Sequence, residues 1–267
     1  MPRVAVVVAT WNRRALLAQA LASATSQSFA DLEVVVADDG STDGTADEVA
    51  SVAARDPRVS HLPLPRSGFD GKVRNAAIRA TSAPLVAFLD DDDLWLPGKL
   101  ERLVALLDGA KGAALTFGRV ERFGDSSGVW PRRPVPRNPS LERLLRGNFV
   151  PLSTVLARRE ALVEAGLFRE DVVPTADYEL WLDVARRRPI LADDAVLARY
   201  RVHGGSLIRR SGAEAEALAR LHDRLEREWG LPRRLLAPAR RGVWRLRART
   251  APSLGERLAW RLRSLLP

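Results

Sequence analysis

The chain has 267 residues, 46% of them hydrophobic, which is enough for a substantial core in one large domain or a domain with an appendage. Without cysteine it has no disulfide, no thiolate nucleophile and no Cys-based zinc site, consistent with a reducing compartment. A formal net charge of +9 suggests a polyanionic partner, and its location along the chain decides which kind.

The N-terminal apolar run, Val4 to Ala9, is too short for a signal peptide and reads as a first buried strand; the expectation is a cytoplasmic protein with no membrane span. Thr10-Trp11-Asn12 forms the following turn, with Asn12 as cap of a helix running to about Ser28. A second strand, Leu32 to Ala37, ends in Asp38-Asp39-Gly40-Ser41-Thr42-Asp43-Gly44-Thr45, where Thr42 or Asp43 caps a helix from Ala46 to Ala54. Val59 to Leu64 is a third strand and Gly71 to Ala80 a third helix, carrying Arg74 and Asn75. Leu85 to Leu89 is a fourth strand, closed by Asp90-Asp91-Asp92-Asp93 and followed by a helix with Pro97 in its first turn. Four repeats of strand, polar turn and helix predict a parallel, doubly wound α/β sheet.

The acids close strands, at the edge where open α/β sheets bind ligands. Four adjacent carboxylates repel one another unless a cation compensates them, and Mg²⁺ or Mn²⁺ with a phosphate is the simplest such partner. The plain alternative is a solvated turn that precedes a helix. No G-x-G-x-x-G or P-loop pattern is present.

Beyond Ala113 the repeat stops. Extended segments to Trp130 and a proline-rich stretch from Pro131 to Pro139 predict a mixed sheet and a loop. A short helix (Ser140 to Gly147), a strand (Thr154 to Ala157), a helix (Arg159 to Ala165), a helix opening at Thr175 with Asp177 in its first turn, and a last strand (Val196 to Val202) follow. From residue 209 onward there are fifteen arginines against six acids, so the whole charge excess lies in the tail. A neutral body with a basic tail argues against nucleic acid as the partner. Trp and Leu interleaved with Arg read as amphipathic helices on an anionic membrane, removable without unfolding the body, or as helices packed on the body or a partner.

These pieces resemble the inverting nucleotide-sugar glycosyltransferases of family 2, over roughly residues 3–208. The resemblance is carried by Val6 to Asn12, Gln27-Ser28-Phe29, Asp38 to Thr45, Phe88 to Pro97, Asp177 to Leu182 and Tyr200 to Ser206. It implies a GT-A fold, a Rossmann-like mixed sheet flanked by helices over residues 1–208, with an Arg-rich helical tail at 209–267. It further implies a nucleoside-diphosphate sugar donor, a glycan or lipid-linked hydroxyl acceptor, and Mg²⁺ or Mn²⁺. Thr10, Asn12 and Asp39 would line the nucleoside pocket. Asp90 and Asp92 fit the D-x-D positions; since the residue between them is also acidic, either Asp90 or Asp91 takes the ribose. Asp92 would hold the metal with His203 beside it, and Asp177 would be the general base, although the Glu common before it is Ala176 here. Arg158 and Arg159 are candidate phosphate contacts. A polyprenyl-phosphate sugar transferase and a non-catalytic nucleotide-sugar-binding protein are the alternatives.

Overall fold

The structure is a computed structural model that describes residues 1–204, 211–251 and 253–264. Gly205 and Ser206 of the motif after the last strand, the 208/209 boundary, and Leu265 and Leu266 of the tail lie outside the described residues.

The first half is the predicted alternation: β1 (Val4–Thr10), α1 (Arg14–Thr25), β2 (Leu32–Asp38), α2 (Thr45–Arg55), β3 (Val59–Pro63), α3 (Asp70–Ala80), β4 (Leu85–Asp90), β5 (Leu94–Trp95) and α4 (Lys99–Asp108). Strands β1 to β4 pair in parallel in the order β3-β2-β1-β4. Their continuous apolar runs follow from burial on both faces. Val6, Val8, Val34 and Val36 face α1, α2 and α4, which contribute Leu17, Leu21, Val49, Leu100 and Leu103. Val7, Val35 and Phe88 face the opposite layer, where Phe88 meets Phe168 and Trp181 edge-on at 5.4 and 5.9 Å.

The second half is β6 (Leu115–Gly124), β7 (Gly128–Trp130), α5 (Leu141–Leu145), a 3₁₀ turn (Leu152–Thr154), β8 (Leu156–Arg158), α6 (Arg159–Glu164), α7 (Ala176–Ala185) and β9 (Ile190–Val202). Here the sheet becomes mixed, as expected. β8 pairs antiparallel to both β4 and β6, β9 runs parallel to β6, and β5 lies antiparallel against β9. The last strand is longer than its predicted span because its first half lies beside β6, where the alternation that marks a half-exposed strand is absent.

Three predicted helix starts are corrected: α2 begins at Thr45 after Gly44 at φ 84°, so neither Thr42 nor Asp43 is its cap. α1 starts after Arg13, and the Asn12 carboxamide instead accepts a bond from the Thr42 amide at 2.7 Å, with Asn12 at φ 49°. α4 begins at Lys99 after Gly98 at φ 75°, a backbone conformation that glycine adopts without a Cβ clash, so Pro97 precedes the helix.

The tail comprises α8 (Ser211–Trp229), α9 (Arg233–Thr250) and α10 (Leu254–Arg263). It does not stand off the body. Leu221, Leu225 and Leu236 enter the same core as Phe88 and Trp181, and Arg224 reaches Glu179 and Asp183 of α7 at 3.1 and 3.4 Å. The removable tail expected from charge pattern alone is therefore corrected: α8 and α9 spend their apolar stripe on the protein's own core. α10 lies outermost, with Leu258 53% exposed and the Trp260 ring between the Arg247 and Arg263 guanidinium groups at 4.8 Å each. Among the described residues no helix is long and apolar enough to cross a membrane.

Candidate active site

A cleft opens along the carboxyl ends of β1, β2 and β4, in two chambers. The smaller, about 280 Å³, is bounded by Thr10, Trp11, Asp39, Arg66 and the carboxylates Asp90 to Asp92. The larger, about 450 Å³, contains Asp177 and is mostly apolar. Asp70, Arg74, Asp90, Val173 and Tyr200 border both, so the chambers communicate at the end of β4.

In the smaller chamber Asp39, after β2, is held by the arm that follows β3. It accepts bonds from the Ser67 amide at 2.7 Å, the Ser67 hydroxyl at 2.8 Å and the Gly68 amide at 2.9 Å, and is paired with Arg66. Burial opposes its ionisation, but these donors and the guanidinium outweigh burial and keep the carboxyl below its usual range. Arg66 also lies 3.8 Å from the centre of the Trp11 ring, which is 46% exposed and offers a flat face at the chamber's rim.

The four acids after β4 have four different surroundings. Asp90 receives the Arg74 guanidinium from α3 at 2.7 Å, yet burial leaves its carboxyl above the ordinary range. Asp91 accepts from the Thr10 hydroxyl at 2.8 Å and from Arg13 at 2.7 Å; burial, opposed by Arg13 and assisted by Asp92, pushes it up to about 6. Asp92 receives the same Arg13 nitrogen at 2.9 Å and lies 3.1 Å from His203 Nε2. Asp93, fully buried, accepts from the Ser153 hydroxyl at 2.6 Å and the Arg201 amide at 2.9 Å, tying the acid turn to the 3₁₀ turn and to β9. Arg13 and Arg74 thus face Asp90, Asp91 and Asp92, while burial drives the Asp93 carboxyl well above its usual range.

Among the described residues no group of three or more His, Asp or Glu is arranged to hold a metal ion. The donor set that is present, Asp92 with His203, still fits Mg²⁺ or Mn²⁺. Such ions take one or two protein ligands and complete their shell with water and substrate phosphate. Asp91 is drawn instead to Thr10 and Arg13, which leaves Asp90 as the carboxylate that borders both chambers.

Asp177 stands in the first turn of α7 and faces the larger chamber. Asn148 donates to it at 3.2 Å. Burial raises its carboxyl to about 6, partly offset by the Tyr178 amide and Arg74. A carboxylate titrating near neutrality is suited to accept a proton from a hydroxyl.

Of the residues singled out from the sequence, Thr10, Asp39, Asp90, Asp91, Asp92 and Asp177 border the cleft. His203 reaches it through Asp92. Asn12 lines neither chamber, and its side chain ties the turn after β1 to the turn after β2. Arg158 and Arg159 are not phosphate contacts: they donate to carbonyls of Ala113, Leu107 and Ile78 within the body. Arg13, Arg74, Asn148 and Tyr200 received no role from the sequence. Arg13 and Arg74 sit next to the polar residues Asn12 and Asn75, but in so arginine-rich a chain that signal does not stand out.

The model of glycosyl transferase family 2 matches residues 5–163, more than half of the chain. An uncharacterized glycosyltransferase of Rickettsia felis is 28% identical over 241 residues, 85% of this chain. The chain spans only 39% of that relative's length. An Escherichia coli protein named UDP-Glc:alpha-D-GlcNAc-diphosphoundecaprenol beta-1,3-glucosyltransferase WfgD is 26% identical over 206 residues, covering 76% of this chain and 79% of that one. Among solved structures, S. aureus TarS 1-349 in complex with UDP-GlcNAc superposes with a TM-score of 0.73 at 19% identity, covering 99% of this chain and 80% of that one; at this identity the likeness speaks for the fold.

Proposed function

Because the chain belongs to glycosyl transferase family 2 and carries that family's α/β architecture, we propose that it transfers a sugar, with inversion, from a nucleoside-diphosphate donor to a hydroxyl of a glycan or lipid-linked acceptor in cell-envelope polysaccharide synthesis. One observation carries this reading: Asp177, with its raised pKa, looks into an apolar chamber that opens onto the acid turn of β4.

In this reading the smaller chamber takes the nucleotide. Asp39, fixed as an acceptor, receives the base's ring N–H, Thr10 and Trp11 border the nucleoside, and Asp90 lies at the ribose and sugar end. Asp91 holds Arg13 in place. Asp92 and His203 would hold the Mg²⁺ or Mn²⁺, which when bound offsets charge on the departing diphosphate. Asp177 takes the acceptor's hydroxyl proton as that oxygen attacks the anomeric carbon. The bond to the diphosphate oxygen breaks on the opposite face, releasing the nucleoside diphosphate and inverting the centre. Water is limited on the acceptor side by Val150, Leu152 and Val173.

A polyprenyl-phosphate acceptor is already anionic and needs no base, so the tuning of Asp177 favours a hydroxyl. A nucleotide-sugar-binding protein without catalysis would have no use for that tuning. Residues 1–208 carry the catalytic side chains in this reading, and the basic helices of residues 209–267 cover them, with Glu214 and Leu218 of α8 closing the acceptor chamber. The exposed face of α10, with Arg257, Leu258 and Arg261, would bring the enzyme to an anionic membrane at the cytoplasmic side, where lipid-linked acceptors are held.

The test is a thermal-shift screen of nucleoside diphosphates with and without Mn²⁺. A ligand that binds the folded state alone raises the melting temperature. Stabilisation by one nucleotide that is strengthened by Mn²⁺ is expected; no response to any nucleotide would overturn the assignment of the donor chamber.

A further inference from the structure

Among the described residues, Arg122 is the basic side chain of the larger chamber without an ion-pair partner. Arg122 lies on β6, opposite Tyr200 of β9 and Gly128 of β7. Because side chains alternate along a strand, its neighbour Glu121 points to the other face, where it pairs with Arg199 at 3.3 Å. Gly128 presents no side chain. Among the described residues Arg122 makes no side-chain hydrogen bond and no ion pair.

The other charged groups of the chamber, Glu214 apart, have partners. Arg74 is drawn to Asp90 at 2.7 Å and Asp70 at 3.9 Å, and Asp93 is bonded by Ser153 and the Arg201 amide. Glu214, contributed by α8, is raised by burial alone. A half-buried guanidinium in a chamber with apolar walls forgoes hydration without gaining a partner. Its planar fork matches a phosphate or carboxylate in a bidentate way. Arg122 borders the larger chamber and not the smaller one, which places it on the side of Asp177.

Resting on the reading that this chamber takes the acceptor, we propose that the acceptor bears a phosphate ester and that Arg122 binds it, presenting a hydroxyl of the same molecule to Asp177. Two sources share this chemistry: a lipid-linked sugar phosphate, which the apolar walls Val150, Leu152, Val173 and Leu218 suit, and a phosphate-bearing polyol or glycan.

The full chain is first saturated with the stabilising nucleoside diphosphate and Mn²⁺, so that the donor chamber is filled. Geranyl monophosphate, geraniol and glycerol 3-phosphate are then titrated by calorimetry. Geranyl monophosphate should bind at least tenfold more tightly than geraniol. Arg122→Gln should lose at least tenfold of that affinity and Arg122→Lys should retain part of it, while nucleotide affinity stays unchanged in both. Equal affinity for glycerol 3-phosphate and geranyl monophosphate would support the proposal and identify a soluble phosphate acceptor; a requirement for the geranyl chain would support it and identify a lipid one. Undiminished phosphate binding by a nucleotide-binding Arg122→Gln protein, equal binding of geraniol, or no binding of either phosphate would overturn it. Failure of the donor reading is seen separately, as absence of nucleotide binding before any acceptor probe is added.

Discussion

Replacing Asp177 by Asn should separate stability from catalysis. A carboxyl moved from 3.8 to about 6 carries ~3 kcal/mol against its ionised form. Asp177 keeps part of its surface on the cleft, and solvent screening reduces this to about 1–2 kcal/mol. The sign follows from proton binding. The folded state holds this proton more tightly than the unfolded chain, so the contribution of Asp177 to stability is fully present below pH 3.8 and is lost as the pH rises through about 6. Asp177→Asn removes that loss, and the amide oxygen can still accept from Tyr178 or from Asn148. At pH 7.5 the variant should melt about 2–6 °C above the parent, a difference that disappears near pH 4. Turnover should fall by ~10²-fold or more with nucleotide affinity retained. In the parent, kcat/KM should decline tenfold per pH step below about 6, and that limb should be missing from the variant's residual rate. Differential scanning fluorimetry across pH and initial rates with a hydroxyl acceptor read both effects. A variant no more stable than the parent at pH 7.5, or one with near-normal turnover, would refute the reasoning.

Asp92→Asn should abolish the Mn²⁺-dependent part of nucleotide stabilisation while circular dichroism stays unchanged; full metal dependence in the folded variant would remove Asp92 from the site. Ending the chain before α8 withdraws Leu221, Leu225 and Leu236 from the core, at ~1.5–3 kcal/mol each, a total comparable to the stability of a whole domain. The truncated protein should be insoluble or melt at least 10 °C lower, and a soluble truncation with parental melting would show that the tail is dispensable. Lys99 is fully buried over the Trp95 ring, 3.5 Å from its centre; burial drives its pKa well down, and its Nζ has no hydrogen-bond partner. Lys99→Met should therefore be at least as stable as the parent at pH 7, and a clearly lower melting temperature would show that the amine has a partner of structural importance.

The framework of the first half was legible because its signals are local. Four apolar runs of strand length, each followed by a polar turn and a helix-period segment, can only bury both faces as a parallel sheet, and acids that close such strands must gather at one edge. Asp39, Asp90, Asp91 and Asp92 could be placed by that reasoning before any contact was known. Asp177 was found by its resemblance to a motif. That it shares a cleft with Asp90 and Arg74 depends on β8, β6 and β9 turning the sheet back beside β4, a pairing set by contacts remote in the chain. The same distance hid the roles of Arg13 and Arg74, since an arginine's local pattern does not reveal which carboxylate it will face. The tail shows the limit most clearly. Its amphipathic spacing specified helices with one apolar face, but a hydrophobic stripe is equally satisfied by a membrane or by a protein core. Only the tertiary structure, by placing Leu221, Leu225 and Leu236 beneath α8 and α9 and leaving Leu258 outside, decided which part of that face was spent on the fold.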